Sequence, residues 1–320
     1  MISCFKNVAC KKGIFKLAML VVAMAACSVF AADKLVIAVS VAPYANILQS
    51  IGGSEVEVVV MVPAGANPHT YEPRPDVLKR FAKAQYYFSD GSGMDKAWLP
   101  RFKGVNKNIQ IVDISKSVSW MQEIDHHHAG KHEEHPEIDP HIWTSPRQAS
   151  MVAFNMRFAL SKIRPEKDSY FVMNHATFVR KLDNVEGQLK DAVREVPGKN
   201  RAFIVFHPSY GYLARDYGLT QYTVEVKGKE PKPKDLQKLI EEGKKHGVHL
   251  VFVQPQFSTR ASETIAKELN AKVQTTDPLA YDFLSNTLTL VESIKDAALL
   301  LRDPNQKSFK NFQKQKSSNK

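Results

Sequence analysis

A chain of 320 residues with 43% apolar content is long enough for two domains or one large α/β unit, and too apolar to be intrinsically disordered. The formal charge of +11 suggests a polyanion partner, but Lys6, Lys11, Lys12 and Lys16 crowd the start, and the stretch from Arg302 to Lys320 holds six basic residues against Asp303. About +2 remains for the body, which gives no warrant for nucleic-acid binding.

The early lysines precede an apolar run from Leu17 to Ala26. This pattern predicts a secretory signal peptide over 1–31, cleaved after Val29-Phe30-Ala31. The run is too short to span a bilayer comfortably. Cys4, Cys10 and Cys27 all fall inside the leader, so the mature chain has neither a disulfide nor a thiolate ligand. Met24-Ala25-Ala26-Cys27 leaves a second outcome, cleavage before Cys27 with a lipid anchor there.

Beyond the leader, strands are predicted at 34–40, 55–62, 85–89 and 108–114, with helices at 43–51 and 75–84. From Pro165, the apolar positions Phe171, Phe178, Leu182, Val185, Leu189, Val193 and Val196 recur at helical spacing until Pro197-Gly198. A helix over 164–196 forms a rod of about 45 Å, long enough to back two lobes and stiff enough to limit their movement. Strands at 202–206, 221–226, 248–254 and 272–275 then alternate with helices at 234–245, 259–269 and 280–301. The fold class is therefore α/β, with two lobes of about four mostly parallel strands. The organisation is an N-terminal lobe over 32–163 with a polar loop near 122–137, the linking helix over 164–196, a C-terminal lobe over 197–302, and a basic tail over 303–320.

Three histidines occupy similar settings, each beside a proline and near an aromatic residue. They are His69 in Asn67-Pro68-His69-Thr70-Tyr71-Glu72-Pro73, His141 in Asp139-Pro140-His141-Ile142-Trp143, and His207 in Phe206-His207-Pro208-Ser209-Tyr210. Asp277 follows a late strand in Thr276-Asp277-Pro278-Leu279. One histidine beside proline is more often a loop residue or a satisfied core group. Three of them near strand ends, with a carboxylate similarly placed, form the donor set of a four-coordinate zinc site. Asp139, Glu72 and Glu225 are neighbouring carboxylates, of which Asp139 reads as a turn or orienting residue. His175 lies on the helical stripe and reads as core, while His246 and His249 flank a turn. His126, His127, His128, His132 and His135 stand among acids in a loop-like run, a composition that suits weak, labile metal capture or a merely solvated acidic loop.

Taken together, Asn-Pro-His-Thr-Tyr-Glu-Pro, Asp-Pro-His-Ile-Trp, His-Pro-Ser-Tyr-Gly-Tyr and the late Asp-Pro-Leu resemble the zinc-binding solute receptors of bacterial ABC importers. That group also includes manganese receptors and proteins once described as adhesins. The resemblance implies a periplasmic, monomeric receptor without enzymatic activity, whose cargo is Zn²⁺ and whose partner is a membrane permease. It assigns His69, His141 and His207 as imidazole ligands and Asp277 as the carboxylate. Manganese-type members carry glutamate where this chain has His207, so zinc is expected over manganese or iron. Thr144-Ser145-Pro146 replaces the family's frequent Leu-Asp-Pro, a change expected to touch only the following helix. Two other readings stay open. A zinc-dependent hydrolase would use three ligands and a water, although no His-Glu-x-x-His helix is present. In a histidine-rich buffer or adhesin, the loop would carry the function.

Overall fold

The computed structural model describes residues 33–122, 138–226 and 229–302. In the first lobe, β1 (Leu35–Val39), α1 (Ala42–Gly52), β2 (Val56–Val60), α2 (Pro75–Phe81), β3 (Tyr86–Ser89), α3 (Gly93–Val105) and β4 (Gln110–Asp113) alternate along the chain. Their strands form one all-parallel sheet in the order β2-β1-β3-β4. β1 reads as an unbroken apolar run because it is covered on both faces, the usual condition of a parallel strand.

The second lobe contains β5 (Ala202–Val205), α6 (Gly211–Tyr217), β6 (Thr220–Thr223), α7 (Pro233–Lys245), β7 (Leu250–Val253), α8 (Arg260–Leu269), β8 (Lys272–Thr275) and α9 (Phe283–Arg302). Its four parallel strands run β6-β5-β7-β8, the same order as the first sheet. Both sheets belong to one compact unit from Leu35 onward.

Between the sheets lie α4 (Pro146–Ile163) and the linking helix α5 (Asp168–Glu195). Pro165 does not open α5; it begins a separate 3-10 turn, Pro165–Lys167, and the long helix starts after it. At 28 residues α5 is about 42 Å long. Its stripe serves two cores, since Phe171, Phe178 and Leu182 pack into the first lobe and Leu189, Ala192 and Val193 into the second. α3 was not evident in the sequence, because Pro100 and Gly104 interrupt its pattern; what holds it is Phe102, whose ring lies 4.6 Å from Phe81 and 5.3 Å from Tyr87. Among the described residues no helix is long and apolar enough to cross a membrane.

The lobes are not separate at the interface. Leu279 and Phe283, from the second half of the sequence, are buried in the first lobe's core with Tyr44, Ile142 and Trp143. Leu279→Ala is therefore expected to lower the unfolding free energy by about 2–5 kcal/mol, as truncation of a packed leucine does. Denaturant titration followed by far-UV circular dichroism checks this, and an unchanged midpoint would mean that the lobes do not share a core.

Candidate metal centre

The three histidines arrive from different parts of the fold. His69 lies on the loop after β2, where Asn67 Oδ1 accepts its backbone N–H at 3.0 Å. His207 stands two residues past β5, at the point where the order of the second sheet reverses, the usual ligand position in open α/β sheets. His141 follows β4 after a long excursion and opens a short 3-10 turn, Ile142–Thr144. Despite these separate origins, one ring nitrogen from each lies within 4.8 Å of those from the other two. His69 Nε2 and His207 Nε2 are 3.2 Å apart, and the His141 ring lies 5.1 Å from that of His207.

Two carboxylates set which nitrogen faces inward. Asp139 Oδ1 accepts both the backbone N–H of His141 at 2.9 Å and its ring Nδ1–H at 2.8 Å. Glu225 Oε1 accepts Nδ1–H of His207 at 3.0 Å. With the hydrogen held on Nδ1 in both rings, each Nε2 turns a lone pair toward the cluster, as metal-ligating imidazoles require. Asp139 thus orients the His141 ring, the orienting part that its place in the sequence suggests. Glu225, among the carboxylates weighed as ligands, does the same for His207.

The surroundings complete the cradle. Gln254 Oε1 accepts the backbone N–H of His207 at 2.7 Å, and the ring of Phe257 stacks on the imidazole at 5.3 Å. On the other side, the Tyr212 hydroxyl accepts Met121 N–H at 3.1 Å and donates to the Asp139 carbonyl at 2.7 Å. A side chain at Gly211 would strike Asp139, since a Cβ there would lie 2.7 Å from Oδ2. His141 and His207 are buried, whereas His69 is the open member. Even so, desolvation of the His69 ring, reinforced by the facing His141 and His207, lowers its pKa to about 3. His69 is thus held as neutral imidazole, the form that binds a metal.

The structure does not bring Asp277 into this group. It is half-buried two residues past β8, and its Oδ1 accepts Gln256 Nε2 at 2.8 Å and the Leu279 N–H at 2.9 Å. Glu72 is further removed, paired with Arg101 at 3.4 Å on the surface. His175 is only half-buried, at the edge of its stripe, with its ring 6.3 Å from Phe154. His246 ends α7 beside Glu242, and His249 precedes β7. His126, His127, His128, His132 and His135 lie outside the described residues. The expectation for Thr144-Ser145-Pro146 needs correcting. Thr144 Oγ1 donates to the His141 carbonyl at 2.8 Å, and Ser145 Oγ donates to Asp216 Oδ2 on α6 at 2.7 Å. Its hydroxyl has no bond to its own helix and joins α4 to the second lobe instead.

Comparison with known proteins gives a consistent neighbourhood. Residues 37–297 match the family described as zinc-uptake complex component A, periplasmic. The zinc-binding protein AdcA of Streptococcus pyogenes serotype M3 is 28% identical over 268 residues, covering 78% of this chain and 52% of the relative. The chain therefore spans about half the length of that curated relative. The high-affinity zinc uptake system protein ZnuA of Bacillus subtilis is 26% identical over 264 residues, covering 77% of this chain and 79% of the relative. Among solved structures, a crystal structure of ZnuA superposes with a TM-score of 0.76 at 36% identity, covering 83% of this chain and all of the other. A ZnuA deletion mutant with zinc bound gives 0.74 at 36% identity, covering 83% and 98% of the two chains.

The Asp139–His141 pair carries a direct expectation. In Asp139→Ala the acceptor of the Nδ1–H is lost, so the ring is free to turn and to carry its hydrogen on Nε2, which blocks that nitrogen as a donor. Metal affinity is expected to fall about 10- to 100-fold, the usual cost of losing a carboxylate behind a ligating imidazole. Calorimetric titration of the folded variant checks this; wild-type affinity would mean that Asp139 does not set the ring.

Proposed function

The chain belongs to the periplasmic component A family of zinc-uptake complexes, and on that premise we propose that it captures Zn²⁺ between its lobes and delivers it to the permease of an ABC importer. His69, His141 and His207 bind the ion through Nε2, and Asp277 supplies a carboxylate oxygen as fourth ligand. The observation that carries this reading is the 3.2 Å separation of two converging imidazole nitrogens. Nitrogens bound about 2.0–2.1 Å from a tetrahedral zinc are themselves about 3.3 Å apart, so these two need scarcely move.

Donor chemistry supports the choice of cargo. A set rich in imidazole suits zinc, whereas manganese favours oxygen donors. Four protein ligands close the coordination shell and leave no open position for a catalytic water, so the chain is a receptor and not a hydrolase. In this reading, residues 1–31 form the export leader, 32–163 and 197–302 the two metal-binding lobes, 164–196 the rigid link and 303–320 a basic tail. The mature protein works as a periplasmic monomer, with a lipid anchor at Cys27 as the alternative. The loop histidines His126, His127, His128, His132 and His135 add weak, labile equivalents.

Titration of the apo protein with zinc and with manganese tests the reading. Zinc is expected to bind tightly at one equivalent, more tightly than manganese and less so on acidification, because protons compete for Nε2. His207→Ala is expected to lose more than the roughly 10- to 100-fold typical of an outer partner. Deleting 126–135 is expected to leave the tight equivalent intact. Equal or better manganese affinity would overturn the zinc assignment, and loss of the tight equivalent with the loop would move the site out of the cleft.

A further inference from the structure

The segment carrying Asp277 belongs to the second lobe by sequence and to the first by packing. β8 ends at Thr275, and four residues later Leu279 is already buried in the first lobe's core. Trp143, 3% exposed and two residues from His141, donates its indole N–H to the Pro278 carbonyl at 2.7 Å. Its ring stands 5.5 Å from the His141 imidazole and edge-on to Tyr44 at 5.2 Å. Tyr44 is anchored in turn, since its hydroxyl donates to the buried Asp90 Oδ2 at 2.9 Å. Within its own half, Asp277 is held by Asn286 Oδ1, which accepts its N–H at 2.8 Å, and by Gln256 on its carboxylate.

We propose that Trp143 is a positioning residue for metal capture, its indole–carbonyl bond to Pro278 fixing the Asp277 turn against the lobe that carries His141. This rests on the reading of Asp277 as a ligand. The bond is directional and buried, and it lies beside a ligand at each end. Without the donor, the Pro278 carbonyl loses its partner inside the protein, and the turn relaxes toward water and Gln256. The same bond makes the two halves of the site interdependent.

A double-mutant cycle on zinc affinity tests this with wild type, Trp143→Phe, Asp277→Ala and the double variant. Phenylalanine keeps an aromatic ring against Tyr44 and His141 but removes the N–H. Trp143→Phe is expected to weaken binding about tenfold, the scale of leaving a buried carbonyl unpaired. In the Asp277→Ala background the same change is expected to cost less than about twofold, because the group it positions is gone. An equal penalty in both backgrounds would overturn the proposal, showing that Trp143 acts on the fold or on His141. No effect of Trp143→Phe while Asp277→Ala weakens binding would overturn it as well, and would leave the ligand reading standing. No effect of Asp277→Ala would instead remove the ligand reading and the proposal with it. If Trp143→Phe does not fold, the wild-type indole N–H resonance of Trp143 decides. Slower solvent exchange on zinc loading is expected, and unchanged exchange would overturn the proposal.

Discussion

Two hydrogen bonds from imidazole to carboxylate, His141 to Asp139 and His207 to Glu225, decide what this molecule can hold. An imidazole free to rotate or exchange tautomers offers a metal either nitrogen or none. With each Nδ1–H committed to a carboxylate, two Nε2 lone pairs point into the same small volume, and His69 adds a third nitrogen from the opposite loop. Lone pairs crowded in this way repel one another unless something electron-poor lies between them. A single hydrogen shared by His69 and His207 relieves part of that repulsion, and a cation at the centre relieves all of it.

The lobes reach this arrangement differently. For His207 the sheet does the work. The pairing of Val205 with Thr223 on one side and with Phe252 on the other, continued two residues, places Glu225 and Gln254 level with His207 at the strand ends. Among the described residues no strand leads directly into His141. It depends on the tight turn at Asp139 and on Tyr212, which reaches over from α6 to pin that turn. The linking helix holds the two systems in fixed relation because its single apolar stripe is buried in both cores.

Much of this is legible in the chain itself. The apolar runs of β1 and β5, the stripe of α5 and the proline-flanked histidines near strand ends identify the two-lobed sheet architecture and the three converging imidazoles without any coordinates. What could not be read depends on facts that a linear sequence does not contain. The role of Glu225 follows only from the strand order β6-β5-β7, which sets it beside His207. Thr144-Ser145-Pro146 reads as touching only the following helix, yet the Ser145 hydroxyl goes to Asp216, 71 residues away, because α6 packs against the start of α4. α3 carries two glycines and a proline that argue against a helix, and long-range contacts of Phe102 override them. Asp277 illustrates the remaining gap: its residue type and its place after a strand suggest a ligand, while its hydrogen bonds to Gln256 and Leu279 depend on neighbours that only the folded chain supplies.

The most direct test of the account is zinc K-edge X-ray absorption on the protein loaded with one equivalent of zinc. Three imidazoles and one carboxylate oxygen at about 2.0–2.1 Å are expected, in a four-coordinate shell. A six-coordinate oxygen shell, or fewer than three imidazoles, would contradict it.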